Sequence, residues 1–363
     1  MTPAVPAAQR SGQGSSFVRR PPSFVVIAVL VALLLVATIL AAAIGSAGIP
    51  LHRLAAVLGL ASPDPANIAR DQLILWSIRL PRIAMAAMVG GMLAASGAVM
   101  QGLFRNPLAD PALVGVSSGA ALAAATTIVV SDKFLEASVF AIPFEVLPVT
   151  ALLGALIATA LLYRLATREG RTSIAIFLLG GLAIAALANA AIGLLVFLAD
   201  DRQLRDITFW MLGSLSGATW AKAAGILPFF LAAVAALPLI ARGLDLLVLG
   251  EAEAYHSGIH VQRLKMFSIL LIATAVGAAV SVSGVIGFVG IVVPHLLRLV
   301  IGPAHRMLLP ASVILGAALM VGADILSRTL AAPAELPIGI VTAVVGAPFF
   351  LALLLRQRML AGL

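Results

Sequence analysis

Residue types that could do chemistry are sparse in this chain. There is no GxxxxGK[ST] phosphate loop and no cysteine, and Ser96, Ser117 and Ser118 have no neighbouring histidine. Nucleotide hydrolysis, thiolate chemistry and serine catalysis therefore lack their sequence signatures. The five histidines, His52, His256, His260, His295 and His305, fall at or beyond the ends of apolar runs, and no His, Asp or Glu cluster has metal-ligand spacing. What remains is charge placed for recognition. Arg79 and Arg82 share RLPR, Arg202 and Arg205 share DRQLRD, and Glu251 and Glu253 lie in GEAEAYHSG between Gly250 and Gly258. Asp324 precedes Arg328 by one helical turn, a spacing that permits an intrahelical pair worth roughly 0.3–0.5 kcal/mol when exposed. A planar guanidinium can hold a carboxylate at two points, so this chemistry is ion pairing and docking, not bond cleavage.

The elements that must position these residues are membrane spans. Of 363 residues 62% are hydrophobic and 10% charged, too little polar surface to coat a water-facing globule. The apolar runs are continuous, not alternating, which excludes an outer-membrane barrel and predicts an all-α polytopic membrane protein. Breaking at Pro, Gly and charge clusters gives about ten spans: 24–46, 82–104, 112–130, 146–166, 173–199, 222–241, 266–283, 285–301, 311–330 and 338–355. Residues 1–23 form a flexible polar tail and 24–363 one transmembrane domain. The first run, at about 20 residues, is longer than a signal-peptide core and is expected to be retained.

Formal net charge is +8, but the basic residues sit in connections between apolar runs, so nucleic-acid binding has no support. With both termini inside, fourteen of the 23 Lys and Arg fall on inner segments, in keeping with the positive-inside bias. Residues 242–265 (from Arg242, ending VQRLK) are long enough for two short helices on the cytoplasmic face, punctuated by Gly250 and Gly258, and look like a docking element. Residues 200–221 are too polar to span but carry Trp210 and Trp220, which predicts a short helix at the outer interface.

Three stretches, RLPRIAMAAMVGGMLAASGAVMQGLFRNPLADPALVGV at 79–116, LGEAEAYHSGIHVQRL at 249–264, and 282–350 including SGVIGFVGIVVPHLLRLVIGPAHRMLLP, carry a family resemblance. The chain resembles the FecCD family of permease subunits in type II ABC importers, which carry haem, ferric siderophores or cobalamin. That resemblance implies a homodimer of ten-helix subunits in the bacterial inner membrane, two ATP-binding cassette subunits below and a periplasmic binding protein above. ATP and Mg would be used by the partner ATPase, with no cofactor bound permanently by this chain. Gly250, Glu251, Ala252, Glu253 and Gly258 would belong to the coupling element seated in the ATPase, although Gly258 lies one residue further from Glu251 than in the general permease pattern. Arg79, Arg82 and Arg328 match basic positions that meet acidic residues of the binding protein.

For the path, Met85, Met88 and Met92 share one helical face, read first as packing and second as a soft lining for an apolar macrocycle. Asn189, alone in an apolar span, is either an interhelical hydrogen bond or a pathway residue. Arg202 and Arg205 could attract haem propionates or anchor the interface. Residues 204–220 most resemble haem permeases, so haem is the expected cargo, with a ferric siderophore or cobalamin as the alternative. A secondary transporter would need intramembrane carboxylates, and the central parts of the spans contain none.

Overall fold

The computed structural model describes residues 22–45, 48–62, 65–135 and 146–360; most of the expected tail lies outside them. Helices form where apolar runs leave the backbone no partner but itself. In chain order they are α1 (Ser23–Ala43), α2 (Leu51–Val57), α3 (Ile68–Leu73), α4 (Leu80–Leu103), α5 (Val116–Leu135), α6 (Val146–Ala166), α7 (Ile174–Leu198) and α8 (Asp201–Leu212). There follow α9 (Trp220–Leu247), α10 (Glu251–His256), α11 (Val261–Ser283), α12 (Val289–Ile301), α13 (His305–Thr329) and α14 (Ile338–Leu360). Among the described residues seven helical segments are long and apolar enough to span, and three more are apolar but shorter, together matching the expected ten.

Burial sorts these helices into a core and a shell. In the most apolar window, 83% of the α3–α4 segment, 67% of α11 and 61% of α13 is buried, against 17% of α1 and of α7. The central helix α4 packs on α13, α11, α12 and α9. Close approach there depends on glycine. A Cβ on Gly90 would stand 2.2 Å from the Gly316 carbonyl oxygen of α13, and one on Gly97 only 1.9 Å from the Gly290 carbonyl oxygen of α12. With no hydrophobic drive between helices in lipid, such backbone contact supplies the packing attraction.

The helix boundaries differ from expectation in three places. First, α4 continues a helix that begins at Ile68, through a wider π turn at Ile74–Arg79 just before Pro81, whose ring withholds one N–H from the ladder. Second, α9 does not stop at 241. It holds Pro228 and Pro238 internally and runs on to Leu247, where Asp245 finds a partner in His305. Residues 242–265 therefore contain one short separate helix, α10, and the ends of two long ones, instead of two short helices. Third, α12 has only 13 residues, because residues 284–288 break the chain between it and α11. The segment after α8 meets the break: the Ser214 N–H donates to the Ser283 carbonyl at the end of α11 at 2.8 Å, and the Ile338 N–H at the start of α14 to the Gly213 carbonyl at 3.1 Å.

The expected outer helix is α8. Its Asp200 cap accepts from the Gln203 N–H while the Gln203 side chain accepts from the Asp200 N–H, a reciprocal capping box. Between α6 and α7 lies a feature the sequence did not announce, a two-stranded antiparallel hairpin of β1 (Thr167–Arg168) and β2 (Arg171–Thr172). Its turn residues Glu169 and Gly170 both have positive φ, 52° and 73°, the twist that a two-residue hairpin requires.

Candidate functional site

Charged side chains gather at the two ends of the bundle. At one end, Arg79, Arg82, Asp324 and Arg328 are nearly fully buried, with 3%, 6%, 1% and 9% exposure. Arg82 Nε donates to Asp324 Oδ1 at 2.8 Å and its Nη1 to Glu335 Oε1 at 2.9 Å. Arg328 Nε lies 3.0 Å from Asp324 Oδ2, one helical turn away, so the intrahelical pair is present but is one strand of a larger web. Other donors go to α1. Arg79 Nη1 donates to the Ala42 carbonyl, and Arg328 to the carbonyls of Ile44 at 3.2 Å and Ala41 at 3.3 Å. These are the orphan carbonyls at the negative end of a helix that has no basic residue in its own last turn. Gly45 leaves room for both guanidiniums, which approach its missing Cβ to 3.2 Å.

Arg79, Arg82 and Arg328 are thus buried in the single subunit, each bonded to partners within the chain. What they present to solvent is the surface they hold in place: the end of α1 and the exposed Glu335. Beside them, Arg53 grips buried Asp71 through two hydrogen bonds of 2.7 Å, tying α2 to α3, and Trp220 Nε1 donates to the Trp76 carbonyl at 2.8 Å.

At the opposite end α10 stands beside the hairpin. Glu251 opens α10 and is partly exposed, Ala252 and Glu253 are exposed on the outside, and Ala254 is buried beneath. Gly250 and Gly258 bracket the helix with φ of 129° and 85°, values that side chains with a Cβ rarely adopt. Of the five expected coupling residues, all lie on this one short element. The residue that sequence reasoning missed is Lys265. Its ammonium is buried and donates to both Glu251 oxygens, at 2.8 and 2.9 Å, and to the Thr172 carbonyl at 3.1 Å. Its only signal in the sequence was being one of three lysines against twenty arginines. Arg171, Tyr255, His256, His260 and Arg263 line an open cleft between α10, the hairpin and the start of α11.

Deeper at this end, Asp245 Oδ1 accepts from the His305 N–H at 2.8 Å and stands 2.7 Å from its Nδ1, joining α9 to α13. Arg298 donates to Gln101 Oε1, and Gln101 Nε2 to the Gly290 carbonyl at 3.2 Å, joining α12 to α4. His295 is placed midway along α12, not at a helix end, with its ring edge-on to Phe349.

The expected pathway residues separate. Met85, Met88 and Met92 are 0%, 8% and 1% exposed, so within the subunit they are core of α4 and not a lining; Met fills the irregular space around the glycine contacts. Asn189 is exposed on α7. An amide there is poorly placed against lipid, and the neighbouring face of α7 is itself uncovered. Arg202 and Arg205 are exposed on α8, with Arg202 only loosely paired to Asp206 at 4.0 Å. Among the described residues no group of three His, Asp or Glu side chains is arranged to hold a metal ion.

Comparison with known proteins follows the same outline. The sequence pattern of the FecCD transport family matches residues 33–356. The hemin transport system permease protein of Yersinia pestis is 46% identical over 293 residues, covering 78% of this chain and 84% of that protein. A cobalamin import system permease of Halobacterium salinarum is 44% identical over 287 residues, 79% of this chain and 74% of its own, and a vitamin B12 import system permease of Vibrio cholerae is 40% identical over 303 residues, 82% and 87%. A solved structure described as an inward-facing metal-chelate type ABC transporter superposes with a TM-score of 0.80 at 31% identity, covering 92% of this chain and all of the other.

Proposed function

The chain belongs to the FecCD transport family, and from that premise we propose that it is the permease of a haem importer, working as two copies with two ATPase subunits. It is a transport subunit of an ABC importer, a multi-pass membrane protein with the importer permease fold. The haem assignment is carried by the 46% identity to the hemin permease. Relatives that import cobalamin at 44% and 40% support a second reading with cobalamin as cargo, and a ferric siderophore is the third cargo of the same kind.

In this reading the end bearing α10 and the hairpin faces the cytoplasm, with both termini on that side of the inner membrane. Gly250, Glu251, Ala252, Glu253 and Gly258 form the ATPase contact, and ATP and Mg are consumed in the partner, not here. The arginine end receives the periplasmic binding protein. There Arg79, Arg82 and Arg328 act by fixing the end of α1 and the loop carrying Glu335, so that the docking surface has one shape. The buried beam of α4, α11 and α13 connects the two ends, and a rigid beam is what lets a small movement at α10 reach the far side. Cargo passes along a face left open in the single subunit, for which exposed Asn189 on α7 and Arg202 and Arg205 on α8 are the proposed contacts. Haem would enter with its propionates drawn to these cations and its ring to an apolar passage.

Proteoliposomes containing this subunit, its co-encoded ATPase and the matching binding protein outside would be offered haem, cobalamin and a ferric siderophore. ATP-dependent accumulation of haem alone is the expected result. Accumulation of either other cargo instead would overturn the haem assignment and leave the importer reading standing.

A further inference from the structure

We propose that Lys265 is a positioning residue that fastens the β1–β2 hairpin to α10, so that the two move as one piece when α10 is pulled. The proposal rests on α10 being the ATPase contact, as inferred above.

The Lys265 side chain is 3% exposed. An ammonium offers three donor hydrogens, and here each meets one acceptor: two oxygens of Glu251 on α10 and the carbonyl of Thr172 on β2. The other backbone group of Thr172 is held too, its N–H donating to Gln262 Oε1 at 3.0 Å. Both halves of that peptide position are therefore held by α11. The hairpin belongs to the connection between α6 and α7, while α10 belongs to the connection between α9 and α11. Lys265 is thus where two cytoplasmic connections, far apart in sequence, meet on one atom.

The surroundings of α10 suit motion about this point. It is a single short helix between glycines at positive φ, so its ends can swivel while its body stays rigid. Glu251 is 39% exposed, so the tied unit of α10 and hairpin can shift with its carboxylate still in contact with water. The hairpin leads directly into α7, through Ser173, which caps that helix by accepting from the Ile176 N–H at 3.4 Å. Displacement of α10 would thereby be delivered to α7, the loosely covered helix that carries Asn189.

The chain has no cysteine, so introduced labels are unambiguous. Spin labels on cysteines introduced by Arg168→Cys and Ser257→Cys, both exposed positions, would report the hairpin-to-α10 distance in the assembled complex with and without trapped nucleotide. The expected parent result is one narrow distance distribution unchanged between the two states. Lys265→Met should broaden it and lower cargo moved per ATP hydrolysed by between about two- and thirty-fold, the span expected for residues that transmit coupling. Lys265→Arg should restore both, since it keeps the cation. The exchanged pair Glu251→Lys with Lys265→Glu should not, because a carboxylate cannot donate to the Thr172 carbonyl. A Lys265→Met complex with the parent's narrow distribution and parent coupling overturns the proposal. Should that variant fail to assemble, Glu251→Ala, which removes both acceptors, reads the same distance with the lysine retained and is expected to broaden it. Tyr255→Ala on the outside of α10 separates the premise from the inference: ATPase binding unaffected by it would sink the contact reading, while the distance measurement still judges the tie.

Discussion

At one end of the bundle three arginines are sunk among helix-end carbonyls and a carboxylate that is 1% exposed; at the other a single buried lysine holds a carboxylate that is 39% exposed. Both ends use the same device, a cation bridging the backbone of one element to the acid of another. They differ in how far water reaches the acid. Asp324 is held by both Arg82 and Arg328 and cannot lose the two without becoming a bare buried charge, so that web has one arrangement. Glu251 keeps contact with water while it is paired, so α10 and the hairpin can move together without stranding a buried acid. The contrast assigns a static role to the arginine end and a mobile one to the α10 end.

The strongest way to break this comparison is Asp324→Ala. It leaves Arg82 and Arg328 buried with less compensation and should destabilise the subunit by about 3–5 kcal/mol. Thermal unfolding in detergent checks it, and an unchanged transition would mean the arginine end is not a lock. Next in size is Gly97→Ala, which sets a methyl 1.9 Å from the Gly290 oxygen and 2.5 Å from its Cα. Because both neighbours are backbone, α4 and α12 must part, at about 1–3 kcal/mol. The same melt would show it, and uptake should fall because the beam joining the ends is loosened.

Glu335→Gln sharpens the comparison within the arginine end. Glu335 is 40% exposed and its amide replacement still accepts from Arg82, so the loss should stay below about 1 kcal/mol. A loss as large as for Asp324 would show that burial of the acid is not what separates the two. Smallest for the fold is Arg202→Ala, within about 0.5 kcal/mol as an exposed α8 side chain. Its expected effect is confined to haem uptake, measured as the initial rate at low haem; unchanged uptake would remove α8 from the path.

Much of this molecule was legible in sequence. The apolar helices, about ten of them, the short helix after residue 200, and the glycine-bracketed element at 250–258 all follow from patterns within twenty residues or so, because helix formation in lipid is decided locally by backbone satisfaction. The Asp324–Arg328 pair followed from spacing alone. What sequence reasoning did not reach was the environment of the charges. RLPR at the head of a span gives no sign that α1 ends nearby with carbonyls lacking a cap.

Sequence alone therefore determined the class, the approximate number of apolar helices and which polar segments interrupt them, since hydropathy and helical period are properties of contiguous residues. Only the tertiary structure decided which helices form the core, that Met85, Met88 and Met92 pack instead of lining, and that Arg82 finds Asp324 and Lys265 finds both Glu251 and Thr172. The physical reason is that an ion pair or an orphan carbonyl is satisfied by whatever lies within 3 Å. In a bundle that neighbour comes from a helix dozens or hundreds of residues away, brought there by glycine contacts such as Gly90 on Gly316 that no local pattern specifies.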